Sequence, residues 1–171
     1  MTYEQIRNQA QTGGVLAVRG TGTVSKVIRV VTGESHSHVA MLVWLDDGLY
    51  VFEFVEFVGF QILPASEWLR RRQGQDIIYC SPPRHVAANP DRVKAAAISY
   101  RNASVAARWY GYISLFLILY SQITGRKVHV IQKVCSTFVQ ECWAAAGHRL
   151  KRTADPGDIV EACPATYKID M

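Results

Sequence analysis

Two apolar segments joined by a short turn sequence constrain the fold of this chain more than any other feature. Residues 38–44 are apolar and rich in strand formers, residues 46–48 read Asp-Asp-Gly, and residues 49–57 are again rich in strand formers. An Asp-Gly pair between two such segments is typical of a tight β-hairpin. The pattern therefore predicts two adjacent antiparallel strands.

The rest of the chain is predicted to add short strands and several helices to this hairpin. Strands are expected at 15–18 and 76–80, with an edge strand at 167–169. Helices are expected in the polar segment 1–12 and at 25–31, 64–70, 90–107, 113–123 and 135–146. Since the chain shows no repeat and no linker, the pattern predicts one α+β domain over residues 1–171.

His38 and Glu53 are the polar residues that stand out in the predicted hairpin. In strand alternation His38 shares a face with Ala40, and pairing across the turn brings Glu53 near the start of the first strand. A carboxylate in so apolar a strand needs a partner if it is buried, and the Nδ1–H group of a histidine would suit it. His36 is the alternative histidine, and Glu56, on the opposite strand face, is the alternative carboxylate.

Cys135 stands at the predicted start of the helix at 135–146. A thiol at a helix N-terminus lies at the positive end of the backbone dipole, near unpaired N–H groups, which lowers its pKa and favours the thiolate. A histidine such as His38, held beside the thiol, can act as general base and acid. The two residues therefore predict acyl transfer by a cysteine nucleophile, with the histidine first in the chain.

The composition is that of a folded protein with a modest excess of basic residues. The chain is 49% hydrophobic and 19% charged, and 19 Lys and Arg against 14 Asp and Glu give a formal charge of +5. The basic residues gather at 70–72, 126–127 and 149–152. Solvated helix ends and loops are expected there, although such groups also attract an anionic surface. No base-reading motif is present, so no nucleic-acid partner is expected.

The other polar motifs predict neither a metal site nor a cofactor. The His36-x-His38 pair has no nearby carboxylate or cysteine that completes a metal-ligand pattern. The Gly20-x-Gly22 element lacks the third glycine of a dinucleotide-binding loop. No metal and no cofactor are therefore expected.

The cysteines and the N-terminus do not suggest export. The four cysteines form no C-x-x-C pair, so free thiols in a reducing compartment are expected, with Cys142 buried in the core. The N-terminus lacks a charged region followed by an apolar run, and the longest apolar stretch, 110–120, is too short to span a bilayer. A cytoplasmic location is expected, with delivery by phage lysis or a secretion system as an alternative.

Together these residues resemble the circularly permuted branch of the NlpC/P60 papain-like cysteine hydrolases, the YiiX/YebB-like group. The most specific likeness is the order of a histidine on a strand, a glutamate on the next strand and a cysteine opening a late helix. The matching segments run almost from end to end: 16–20 with 25–29, 37–40, 51–53, 110–112, 134–136 and 155–158. The chain departs from the group in the long segment between Gly111 and Cys135.

The resemblance implies a papain-like α+β core, in which the nucleophile helix packs against a central antiparallel sheet. It implies that Cys135 is the nucleophile, that His38 is the base and that Glu53 orients the histidine. The implied activity is hydrolysis of an amide, in a peptidoglycan-type peptide or a related compound, through an acyl-enzyme.

Two other functions stay open at this point. One is a lipid acyl hydrolase or acyltransferase, which the apolar segment at 113–119 and the basic groups would suit. The other is an inactive papain-like binding module. Tyr110, Tyr112 and Ser37 are candidate substrate-binding residues, with core packing as the alternative role of the two tyrosines.

Overall fold

The computed structural model describes residues 1–19, 36–55, 58–102, 134–150 and 154–170. Its strands are β1 (Val15–Arg19), β2 (His38–Leu45), β3 (Gly48–Val55), β4 (Gly59–Pro64), β5 (Asp76–Cys80) and β6 (Thr166–Lys168). Its helices are α1 (Tyr3–Gln9), α2 (Ala65–Arg70), α3 (Arg84–Ala87), α4 (Pro90–Ser99), α5 (Val134–Ala145) and α6 (Pro156–Glu161), with a 3₁₀ turn at Tyr100–Asn102. The predicted helices at 25–31 and 113–123 lie outside the described residues.

The described strands form one antiparallel sheet of six strands in the order β4-β3-β2-β1-β5-β6. The predicted hairpin lies inside this sheet, with Leu45 paired to Gly48 at the turn. The predicted edge strand is β6, which pairs with β5. The strand β4 is an addition to the predicted set: its side chains are mostly half-buried, and its pairing with β3 holds it at the other edge.

The two faces of the sheet bury different apolar clusters because side chains alternate along each strand. One face carries Val39, Met41 and Phe52 and is covered by α4, α5 and α6. The other face carries Ala40 and Leu42 and is covered by α1 and α2. In the described part of the chain the sheet is thus a middle layer with helices on both sides.

Helix α5 is fixed to the sheet by apolar packing and by one buried hydrogen bond. It contacts β2 and β3, and its residues Phe138 and Val139 are buried there. Nε1 of Trp143 donates to the carbonyl oxygen of Gly13 at 2.9 Å. Gly13 has a φ of +92°, and a Cβ at this position would lie 2.4 Å from Cγ1 of Val86. Glycine is therefore required where the chain before β1 receives α5.

Two of the predicted helix-end signals are confirmed, and two differ. The predicted helix 90–107 ends as an α-helix at Ser99, followed by the 3₁₀ turn, and residues 103–107 lie outside the described ranges. Pro90 is the first residue of α4, and Gly147, with a φ of +90°, follows the end of α5. Asn89 makes no capping hydrogen bond, and its Nδ2 donates instead to the carbonyl oxygen of His85 at 2.9 Å. Among the described helices, none combines the length and the apolar character needed to cross a membrane.

The hairpin of β2 and β3 is closed at its turn and open at its other end. The ladder between the two strands stops at the pair Met41–Phe52. The N–H group of Leu42 donates to the carbonyl oxygen of Gly14, on the β1 side. Because successive N–H groups of a strand point to opposite sides, the N–H group of Val39 points to the β3 side, beyond the end of the ladder. A backbone donor that the ladder does not use is therefore available where β2 begins.

Candidate active site

His38 and Glu53 meet at the open end of the hairpin, as the strand alternation predicts. Nε2 of His38 lies 2.8 Å from Oε2 of Glu53. The side chain of His38 is 22% exposed and that of Glu53 is 1% exposed. The histidine is therefore the accessible member of the pair, and the carboxylate lies behind it inside the sheet.

The ring nitrogen that faces the carboxylate differs from the predicted one. Glu53 is bonded to Nε2 of His38, whereas the sequence favours Nδ1. Nε2 is the ring nitrogen farther from the backbone, so it is the one that reaches across to the neighbouring strand. The side chain of Cys135 also hydrogen-bonds to His38, and Nδ1 is the nitrogen left for it.

A second cation, Arg72, holds the Glu53 carboxylate. Nη2 of Arg72 lies 3.1 Å from Oε1 and 3.0 Å from Oε2 of Glu53. The guanidinium lies over the ring of Trp68, 4.0 Å from its centroid, and the Arg72 side chain is 18% exposed. Burial alone would raise the pKa of Glu53, but the hydrogen bond from His38 and the charges of His38 and Arg72 outweigh it and lower that pKa.

The sequence indicates only that a carboxylate buried among apolar residues needs a partner, without indicating that Arg72 is that partner. The three arginines at 70–72 cannot be distinguished in the sequence, and all three are expected to be solvated at a helix end. That setting is found for Arg70 and Arg71, whose Nε atoms each lie 2.8 Å from a carboxylate oxygen of Glu67. The expectation of a solvated side chain is wrong for Arg72, which points into the site and is not available to an anionic surface.

Cys135 is the second residue of α5 and approaches the open end of the hairpin. Its sulfur receives hydrogen bonds from the side chain of His38 and from the backbone N–H groups of Val39 and Ser136. The Val39 group is the donor that the β2–β3 ladder leaves unused. The thiol is thus bonded by a strand, by its own helix and by the histidine at once.

The charges at this site favour a thiolate next to an imidazolium. Burial alone would lower the pKa of His38, but its hydrogen bonds and charge interactions with Cys135 and Glu53 raise it to about 9. Burial alone would raise the pKa of Cys135, but His38 and the two backbone N–H groups lower it. Because the two pKa values shift in opposite directions, the proton shared by this pair favours the imidazole.

The other cysteines have different surroundings. Cys142 is fully buried, as predicted, and burial raises its pKa to about 12. The thiol of Cys163 donates to the carbonyl oxygen of Ile159 at 3.2 Å, and a hydrogen bond with Cys80 together with burial raises its pKa. All four cysteines are free. Among the described cysteines with a shifted pKa, Cys135 is the one whose pKa is lowered.

The remaining candidate residues fall at the edge of the site or outside the described ranges. The N–H group and Oγ of Ser37 lie 3.0 Å and 3.4 Å from the carbonyl oxygen of Val18, which ties the start of β2 to β1. The alternative histidine, His36, is half-buried just before β2. The other candidates lie outside the described residues: Tyr110, Tyr112 and Glu56.

Comparison with known proteins identifies the fold. No protein-family model and no curated protein matches the chain. The solved structure of metalloprotein yiiX from Escherichia coli O157:H7 (DUF1105) is similar to this one, with a TM-score of 0.59 and 18% sequence identity over 95% of this chain and 97% of that chain. The chain has a yiiX-like fold. The mixed α+β arrangement of the described residues, with its six-stranded antiparallel sheet, is compatible with that fold.

Proposed function

We propose that this protein is a cysteine hydrolase in which Cys135 is the nucleophile, His38 the general base and acid, and Glu53 the residue that orients the histidine. One observation carries the proposal: a buried carboxylate, an imidazole and a thiol in the first turn of a helix are joined in series by hydrogen bonds. A nucleophile bonded to a base, itself oriented by a third group, is the general arrangement for covalent acyl transfer.

In the first half of the proposed reaction, the Cys135 thiolate attacks the carbonyl carbon of the substrate, and an electron pair moves to the carbonyl oxygen. Backbone N–H groups in the first turn of α5, that of Cys135 among them, hold this oxyanion, since the first N–H groups of a helix have no intrahelical acceptor. His38 gives its proton to the leaving group, the bond to that group breaks, and a thioester remains on Cys135.

In the second half, water hydrolyses the thioester. His38, now neutral, takes a proton from a water molecule, and the oxygen of that water attacks the thioester carbonyl. The carbon–sulfur bond breaks, the acid product leaves, and Cys135 returns to the thiolate beside a protonated His38. The starting charge arrangement is thereby restored.

The charge state of His38 favours an amide as the substrate. An amine leaves readily only after it is protonated, whereas an alkoxide leaves with less help from an acid. With a pKa of about 9, His38 is protonated at neutral pH and can give its proton to the leaving group. We therefore place amide hydrolysis, in a peptidoglycan-type peptide or a related compound, before ester hydrolysis.

We propose further that this yiiX-like protein belongs to the permuted NlpC/P60 papain-like cysteine hydrolases. Residues 1–171 would then form one domain of that family. The lipid-hydrolase alternative loses one of its basic residues, because the guanidinium of Arg72 is bonded to Glu53. An inactive binding module has no need of a low-pKa thiol beside a histidine of raised pKa.

The proposed chemistry uses no metal ion. Because yiiX is named a metalloprotein, the question is whether the residues of this site could bind a metal ion. Within the described ranges, no group of three or more His, Cys, Asp or Glu side chains is arranged to hold a metal ion. Both carboxylate oxygens of Glu53 are bonded to Arg72, whose positive charge repels a second cation. The described residues therefore do not fit a metal, and no step involves one.

The test is to trap the acyl-enzyme. Wild-type protein is incubated with a panel of γ-glutamyl and peptide p-nitroanilides and of lipid p-nitrophenyl esters, quenched in acid, and analysed by peptide mass spectrometry. We expect an acyl group on Cys135 with amide probes, none in Cys135→Ala, and wild-type behaviour in the matched control Cys142→Ala. Full turnover by Cys135→Ala would refute the proposal, and turnover of the esters alone would select the lipid alternative.

A further inference from the structure

Glu53 bears a negative charge at a place where burial opposes it. Its side chain is 1% exposed, and its neighbours along β3, Phe52 and Phe54, are buried aromatic residues. Removing a carboxylate from water is costly unless charged or hydrogen-bonding partners replace the lost hydration. If Glu53 took up a proton, His38 would lose the negative charge that stabilises its imidazolium, and the Cys135 thiolate would lose its partner.

The structure supplies a permanent cation on this carboxylate. A guanidinium does not lose its proton in a protein, and one nitrogen of Arg72 contacts both oxygens of Glu53, at 3.0 Å and 3.1 Å. The guanidinium is kept in place by the fully buried Trp68, over whose ring it lies. Arg72 therefore acts on Glu53 from a fixed position.

We propose that Arg72 is a positioning residue of this site, whose guanidinium keeps the Glu53 carboxylate ionised and aimed at Nε2 of His38. This inference rests on the proposed role of Cys135 and extends the series by one residue. Thiolate, imidazolium, carboxylate and guanidinium sum to zero charge, whereas the first three alone leave one uncompensated negative charge. Without Arg72, a proton from solution neutralises that charge at a higher pH.

The groups that face the carboxylate come from the elements packed around β3. They are His38 from β2, Arg72 and Trp68 from α2 and the turn after it, and the neutral Gln61, which is opposite in the β3–β4 register. Cys135, from α5, faces the imidazole. Of these groups, Arg72 alone carries a guanidinium, which does not lose its proton in a protein.

The test measures thiol reactivity and needs no substrate. The rate of iodoacetamide labelling of Cys135 is mapped by mass spectrometry between pH 4 and pH 9 for Arg72→Gln, for Arg72→Lys and for the matched control Arg71→Gln. We expect Arg72→Gln to move the acidic limb of labelling up by about one pH unit, so that labelling below the limb falls about tenfold. Arg72→Lys should return the acidic limb to its wild-type position. Arg71 is bonded to Glu67 and not to Glu53, so Arg71→Gln should leave the limb unchanged.

A second pair of variants shows whether Arg72 acts through Glu53. In the Glu53→Gln variant, Arg72 no longer has a carboxylate to bind. Adding Arg72→Gln to that variant should therefore change the labelling rate of Cys135 less than twofold. A tenfold effect in both backgrounds would overturn the proposal. If Arg72→Gln alone does not fold by circular dichroism, Arg72→Lys decides: a folded Lys variant without the wild-type limb also overturns it.

Failure of this inference differs visibly from failure of the proposed function. If wild-type Cys135 reacts at low pH no faster than an ordinary thiol, the thiolate–imidazolium pair is absent and the proposed function fails. If wild-type Cys135 is reactive and its limb survives Arg72→Gln unchanged, only the role of Arg72 is wrong.

Discussion

Nε2 of His38 lies 2.8 Å from Oε2 of Glu53, and the two residues are 15 positions apart on one hairpin. The contact places a buried carboxylate behind an imidazole that is partly exposed. The rest of the site comes from elsewhere in the chain, because Cys135 is on α5 and Arg72 follows α2. The proposed base is therefore oriented within one hairpin, and a helix brings the proposed nucleophile to it.

Selective labelling of Cys135 at low pH is the first prediction. Because His38 lowers the pKa of Cys135 while burial raises that of Cys142 to about 12, iodoacetamide at pH 6 should label Cys135 at least about tenfold faster than Cys142. Peptide mass spectrometry of the labelled protein measures both rates. His38→Ala should remove most of the difference, and equal slow labelling of both cysteines would contradict the expectation.

Loss of the Glu53 carboxylate should shift the pH dependence of turnover. The His38 pKa of about 9 sets the alkaline limb, because the imidazolium is the proposed acid for the leaving group. Without Glu53 one cause of the raised pKa is gone, so the limb in Glu53→Gln moves to lower pH and the rate falls by about 10²-fold or more. The pH–rate profile of wild type and variant measures this, with Glu67→Gln as the control. An unmoved alkaline limb would exclude Glu53 as the orienting residue.

The stability of the fold should depend on pH through the same carboxylate. A lowered pKa in the folded state means that Glu53 contributes stability above its ordinary value of 4.5 and loses that contribution as the pH falls through the folded pKa. Removing one partner of a buried ion pair costs about 3 kcal/mol, so Glu53→Gln should be less stable than wild type by about this amount at pH 7. Urea unfolding between pH 3 and pH 7 measures the gap, which should narrow below pH 4.5. A gap that stays constant with pH would contradict the ionised state of Glu53.

The segment before β1 should tolerate no side chain at Gly13. Alanine there combines a left-handed backbone with a contact of 2.4 Å to Val86, and we expect a loss of about 3 kcal/mol in the free energy of unfolding. Gly74 is the matched control, since its φ is +80° and a Cβ added there would have no atom within 4 Å. Gly74→Ala reports the backbone strain alone, about 1 kcal/mol. Equal losses for both variants in urea unfolding would show that the contact with Val86 contributes nothing.

Much of the sheet could be predicted because its strands carry local signals. The turn at 46–48 and the apolar segments around it specify β2 and β3, and 76–80 specifies β5. The strand β4 lacks such a signal, since its mostly half-buried residues at an edge have no clear alternation, and pairing with β3 is what orders them. At Asn89 the local signal predicts a cap, but the side chain accepts no capping hydrogen bond, and its Nδ2 donates to the carbonyl oxygen of His85.

The candidate site was predictable where one strand pattern controls it. Alternation along the hairpin is sufficient to bring His38 and Glu53 together, although the ring nitrogen used depends on side-chain reach. Arg72 could not be singled out, because three consecutive arginines are equivalent in the sequence and only the packing against Trp68 separates them. The role of the Val39 N–H group could not be predicted from the sequence, because it depends on where the β2–β3 pairing ends.

The open end of the β2–β3 hairpin has a consequence for when the proposed active site is complete. The histidine and its carboxylate belong to a single local unit, whereas the thiol is far along the chain and meets them only when α5 packs on the sheet. Until that packing occurs, Cys135 has neither the imidazole nor the Val39 N–H group and is an ordinary thiol. The proposed reactivity of Cys135 thus requires the packing of α5 on the sheet, and an unfolded chain would have the thiol without its partners.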